Sequence, residues 1–157
     1  DPSEDDFSVR SAEEGLDVLK TVTGAINYFL AMVAAISLIV GGIGIMNIML
    51  VSVAESTKEI GLRKAVGAKQ RDISMQFLMQ TIILTLLGGV IGIIIGVLIS
   101  WLVAVVATYL GYDWDFIVTL DSIIMALAFT FVVAISFGWY PAQKAAKLQP
   151  VEALRYE

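Results

Sequence analysis

The chain has 157 residues, 58% of them hydrophobic, with a mean hydropathy of +0.84 and a formal charge of −5. That hydropathy excludes an ordinary water-soluble domain, and the absence of Cys and His excludes disulfides, thiolate metal sites and a histidine general base. The distribution of charge says more than its sum, because no Asp, Glu, Lys or Arg occurs over residues 21–54, 73–112 or 122–143. A span needs about 20 apolar residues, so the pattern predicts an all-α integral membrane protein with three transmembrane helices.

Residues 1–27 are expected to form an extracytoplasmic tail and stalk. Residues 1–10 carry little apolar surface to bury and read as irregular. Ser11 with Glu14 then has the spacing of a capping box, which marks a helix start. Leu16, Leu19, Thr23, Ile26 and Leu30 follow at helical spacing, so one long helix should run from the stalk into the first span, residues 28–53. That apolar stripe suits a further domain or a partner equally well. Toward the end of the span, Gly41-Gly42-Ile43-Gly44-Ile45-Met46-Asn47 lacks the Lys and the strand context of a phosphate-binding loop, so close packing or a local bend is expected. Asn47 is expected to make an interhelical hydrogen bond rather than to serve as a transport ligand.

Residues 54–76 form a basic loop containing Lys58, Arg63, Lys64, Lys69 and Arg71. Glu59 and Arg63 are four apart, a favourable ion pair on a helical continuation of the first span. Gly61 and Gly67 bracket a short segment that can lie on the membrane surface and offer Leu62, Ala65 and Val66 to a soluble partner. The cations can equally anchor lipid headgroups, and spacing alone does not choose between the two.

The second span covers residues 77–106. Along it Gly88, Gly92, Gly96, Ser100 and Ala104 fall at every fourth position, a small-xxx-small row suited to helix packing, either within the chain or between subunits. The loop 107–122 has no Lys or Arg but carries Asp113, Asp115 and Asp121. The third span, 123–140, leads into a tail, 141–157, in which Pro141 is suited to ending or redirecting the helix. Tyr28, Trp101, Tyr109, Tyr112, Trp114, Trp139 and Tyr140 cluster near the span ends, as an aromatic belt does.

The positive-inside rule puts the 54–76 loop and the C-terminal tail in the cytoplasm, with the N-terminus and the 107–122 loop outside. An acidic tail that starts outside implies an upstream helix and an external domain beyond this sequence. No ionisable residue lies within a span, which argues against ion-coupled transport and intramembrane catalysis.

The run ISLIVGGIGIMNIMLVSVAESTKEIGLRKAVGAKQRDI, residues 36–73, closely resembles the FtsX/MacB-type ABC-transporter permeases. Gln76-Phe77-Leu78, Gly88-Gly89, Tyr140-Pro141-Ala142 and Pro150-Val151-Glu152-Ala153-Leu154-Arg155 extend the resemblance over nearly the whole chain from about Ser11. It departs from the usual family pattern at Ser56, Gln80 and Gln143, where charged residues are common.

The resemblance implies a stalk helix followed by the last three of four spans, and a coupling helix that sits on the ATP-binding subunit. It maps that role onto Glu55, Glu59, Gly61, Arg63, Lys64, Gly67 and Ala68; Leu62 and Val66 join them as the apolar contacts offered by the loop. The implied function is the permease part of an ABC transporter that transmits ATP-driven motion across a bacterial-type cytoplasmic membrane, for efflux or for lipoprotein or peptide handling. The alternative is a non-transport scaffold regulating an external cell-wall enzyme. The expected partners are a nucleotide-binding subunit, a second permease copy and the lipid bilayer, with no nucleic acid. No catalytic, cofactor or metal site is expected in this chain, and ATP and Mg would sit on the partner.

Overall fold

The computed structural model describes residues 2–149, with side chains from residue 14 onward; Asp1 and residues 150–157, with the expected Pro150–Arg155 motif, lie outside the described residues. Four helices follow in order: α1 (Pro2–Glu55), α2 (Thr57–Ala65), α3 (Gln70–Tyr109) and α4 (Leu120–Lys147), with no strand among the described residues. Three of them are long and apolar enough to cross a membrane. The chain divides between Val40 and Gly41 into two compact units.

The first unit is the leading part of α1. Its start differs from expectation: the helix begins at Pro2, so Ser11 lies within it and not at its N-terminus. Proline is well placed at a first helical position, where its missing amide leaves no bond unmade. Leu16, Leu19, Ile26 and Leu30 are all exposed, so nothing in this unit covers the stripe. Thr21 and Ser37 turn their hydroxyls back onto the Asp17 and Val33 carbonyls, 2.8 and 2.9 Å away, which satisfies them without another helix.

The second unit is organised by the α3–α4 contact. Besides Ala104, its buried α3 positions are Ile73, Phe77, Thr81 and Thr85, every fourth residue, and the row continues into half-buried Gly89, Ile93 and Val97. Facing it on α4 lie Ala134, Gly138, Ala142 and Ala146, also every fourth residue and all buried. Small residues on α4 let the two backbones approach: a Cβ on Gly138 would stand 2.8 Å from Thr81 Cγ2, and one on Gly89 would stand 2.7 Å from Thr130 Cγ2. Thr81, Thr85 and Thr130 each donate to the carbonyl four residues earlier, so their hydroxyls are satisfied inside the seam. The trailing part of α1 joins through Gly42, whose missing side chain is replaced by the Phe137 ring. This is the close packing expected of the glycine run.

The predicted row packs differently. Gly88, Gly92 and Gly96 have open space where a Cβ would be, and only Ala104 of the five is buried. The seam runs one residue over, about 100° around the helix. Asn47 is likewise exposed, and it makes no side-chain hydrogen bond among the described residues. The expected interhelical bond is not formed among the described residues.

Pro141 does not end the third long helix. It is buried inside α4, which continues to Lys147. An internal proline costs about 3 kcal/mol through the lost amide bond and ring clash. The last turns hold because Ala142 and Ala145 are fully buried in a cluster with Met49, Val53, Ile60, Ile73 and Phe77. The aromatic residues named above are all exposed, as belt residues should be.

Replacing Gly138 by Val is expected to destabilise the detergent-solubilised chain by about 1–3 kcal/mol, the usual cost of overpacking. Gly92→Val, on the open row, should leave the unfolding midpoint unchanged. Thermal unfolding followed by circular dichroism compares them, and equal losses would rule out the Thr81–Gly138 seam.

Candidate functional site: a cross-braced surface helix

The nine residues expected to form the coupling element lie on or beside α2. This helix is a redirected continuation of α1 rather than a straight one. Ser56 keeps a helical backbone bond to the Ser52 carbonyl, 2.9 Å, but adopts φ −87° and ψ 8°, and α2 starts at Thr57. Thr57 donates its hydroxyl to the Ala54 and Val53 carbonyls at 2.7 and 3.1 Å, which satisfies the carbonyls at the bend.

Gly67 ends α2. It holds φ +103°, where a side chain is strained, and the two closing bonds run from the Gly67 amide to the Lys64 carbonyl and from the Ala68 amide to the Arg63 carbonyl, both 3.0 Å. This is a Schellman terminus. The next helix starts at once: the Lys69 amide donates to Asp72 Oδ2 at 3.1 Å. Gly111 closes α3 in the same manner, with φ +86°.

A nine-residue helix is marginal alone in water, so α2 depends on what lies beneath it. Ile60 and Gly61 are its buried residues. Ile60 belongs to the cluster with Met49, Val53, Ile73, Phe77, Ala142 and Ala145, and Ala68 packs at its margin. Gly61 therefore lies inside the helix and against the core instead of bracketing a segment.

Two cations brace the helix. Arg63 donates from one guanidinium nitrogen to Glu59 Oε1 at 2.5 Å and from the other to the Gln76 side-chain oxygen on α3. Lys64 donates its ammonium to the Ala146 and Leu148 carbonyls, at the end of α4 where helical partners have run out. Desolvation at this position pulls the Lys64 ammonium below the ordinary lysine range, an effect that the two carbonyl acceptors oppose. Charge-assisted bonds to a helix C-terminus are favourable.

The nine residues thus divide. Glu55, Glu59, Leu62, Val66 and Gly67 are exposed, and Leu62 and Val66 keep 61% and 83% of their surface open. Gly61, Lys64 and Ala68 face the body of the unit, while Arg63 lies between the two sets. Sequence reasoning missed Ile60 and Gln76. A signal for Ile60 existed, since Met49, Val53 and Ile60 recur at helical spacing across the bend. It also missed the Ala134-Gly138-Ala142-Ala146 row that α3 packs against.

The arrangement defines a class: a membrane helical unit that carries at one end a short braced helix with Leu62 and Val66 exposed beside charged side chains. The sequence profile of the FtsX-like permease C-terminal family matches residues 31–150. The chain belongs to that family. It is 50% identical over 153 residues to the macrolide export ATP-binding/permease protein MacB of Bdellovibrio bacteriovorus, covering 98% of this chain and 23% of that protein. A MacB protein of Syntrophobacter fumaroxidans is 49% identical, with 98% and 21% covered. The uncharacterized ABC transporter permease YknZ of Bacillus subtilis is 43% identical over 155 residues, with 99% and 38% covered. The chain therefore spans well under half the length of each of these relatives.

Lys64→Met removes both bonds to the α4 terminus. It should weaken α2 docking by about 1.5–3 kcal/mol, the usual range for bonds to a charged group. Hydrogen exchange is the measurement: the 57–66 amides should exchange faster in this variant and remain unchanged in Leu62→Ala.

Proposed function

We propose that this chain is the force-transmitting part of an ABC-transporter permease, with α2 as the coupling helix that receives motion from a nucleotide-binding subunit. The observation that carries the reading is the division of this element into an exposed side, where Leu62 and Val66 stand beside Lys58 and Glu59, and a fastened opposite side. A helix that hands on a displacement must contact the mover and must not slide on its own support. Leu62 and Val66 meet the first requirement; Ile60, Arg63 and Lys64 meet the second. The matched relatives support an ATP-binding partner, since two of them are named as combined ATP-binding/permease proteins. ATP and Mg would belong to that partner, and this chain would not hydrolyse ATP itself.

In this reading the end carrying α2 faces the cytoplasm and the α3–α4 loop lies outside, as the charge asymmetry requires. A second permease copy would use the open Gly88, Gly92 and Gly96 row, where a neighbouring helix can approach closely. The working membrane would be a bacterial-type cytoplasmic membrane. The substrate class would be that of export permeases, an amphipathic molecule, peptide or lipoprotein handled through a further external domain.

Val66→Asp or Leu62→Asp should weaken binding of a nucleotide-binding subunit about tenfold, as loss of an apolar anchor does. Glu59→Ala and Arg63→Ala should weaken it indirectly, by loosening α2. Binding and ATPase assays of the purified chain with and without that subunit provide the check, and ATP hydrolysis by this chain alone would end the reading.

Orientation can be measured separately because the chain has no cysteine. A single Cys at Lys69 should react with an impermeant maleimide only after the cytoplasmic face is opened. One at Asp113 should react in intact cells. The reverse pattern would invert the topology.

A further inference from the structure

A groove of about 390 Å³ opens between the start of α3 and the end of α4. Its residues are ordered along the helices. Leu78 on α3 and Trp139 on α4 line one end, and Ser74, Met75 and Gln143 line the middle. Gln70 and Arg71 on α3 and Ala146 on α4 line the other end. Gln143 Nε2 donates to Ser74 Oγ at 3.4 Å, a weak link between the walls. No acid lines the groove, and Arg71 makes no ion pair among the described residues. Trp139 is 55% exposed although it stands in an apolar wall.

We propose that this groove holds one anionic phospholipid, with its phosphate at Arg71 and an acyl chain along Met75, Leu78 and Trp139. Ala146 apart, the order of the lining matches the order of a phospholipid entering from the bilayer: Arg71 with Gln70 first, Ser74 and Gln143 next, and the apolar Leu78 and Trp139 last. From Arg71 to Leu78 is seven residues, about 10 Å along the helix. The headgroup layer is about 5–7 Å deep on each side of the hydrocarbon, so the groove reaches past it into the acyl region. A guanidinium is well matched to a phosphate, and an indole is suited to the interface between polar and apolar layers. The occupant would sit against α3 and α4 over Ser74 and Gln143, whose bond links the two walls. The assignment needs only that α3 and α4 cross a membrane; it does not rest on the transport reading.

The test uses Trp139 as its own reporter. In a Trp101→Phe, Trp114→Phe background, the full chain is reconstituted into vesicles of phosphatidylcholine with a small share of phosphatidylglycerol, either lipid being brominated in turn. Brominated phosphatidylglycerol should quench Trp139 about fivefold more, per mole of quencher, than brominated phosphatidylcholine, the ordinary selectivity from one cation at an anionic surface. Arg71→Gln should abolish the preference with helicity retained. Lys147→Gln, an exposed cation on α4 outside the groove, should keep it. Equal quenching by the two lipids overturns the proposal, as does an equal loss in both variants, which would mean a diffuse basic surface. Shielding of Trp139 from both lipids by an added nucleotide-binding subunit would assign the groove to a protein and overturn it as well.

Discussion

The second unit depends on the small apolar cluster in which Ile60 meets Met49, Val53, Ile73, Phe77, Ala142 and Ala145. The end of α1, the start of α3 and the end of α4 all contribute to it, and α2 lies over it. Most of the chain's apolar surface is not internal: only 6–11% of the most hydrophobic stretch of each long helix is buried within the chain. In hydrocarbon such surface gains little by leaving lipid. In water it gains about 25 cal/mol per Å². The hydrophobic effect thus acts most strongly where the helices leave the membrane, and that is where the side chains converge.

This explains how the polar braces are used. Lys64 could have reached solvent or lipid phosphate, yet its stem lies along the unit and its ammonium closes the α4 terminus. Arg63 joins Glu59 on its own helix to Gln76 on α3. Either bond alone is modest. Together with Ile60 they fasten α2 to the start of α3 and the end of α4. The same fastening accounts for a helix too short to persist unaided and for the tolerance of Pro141 next to Ala142 of the cluster.

Inside the membrane the determining factor is size rather than hydrophobicity. Gly42, Gly89 and Gly138 are filled by Phe137, Thr130 and Thr81 respectively, and the threonine hydroxyls are returned to their own backbone. Close contact and satisfied polar groups are the available sources of attraction between helices in lipid. The open Gly88, Gly92 and Gly96 row has the same chemistry without an occupant among the described residues.

The amino-acid sequence by itself determined the three long apolar helices, the Glu59–Arg63 pair and the stop at Gly67, because each rests on a local rule: span length, i,i+4 distance, or a left-handed backbone. It also carried enough of the family's residues to identify it. Tertiary structure alone decided which row of α3 meets α4, where Lys64 points, that Asn47 stays exposed, and that α4 passes through Pro141. The physical reason is the same in each case. A helix in lipid is apolar all round, so hydrophobic periodicity does not mark its packed face. Two glycine-bearing rows one residue apart on α3 then look alike until the facing residues of α4 choose between them. Lys64 and Pro141 are settled by contacts about 80 residues away in one case and about 90 in the other, between Lys64 and the Ala146 and Leu148 carbonyls, and between the end of α4 and Met49.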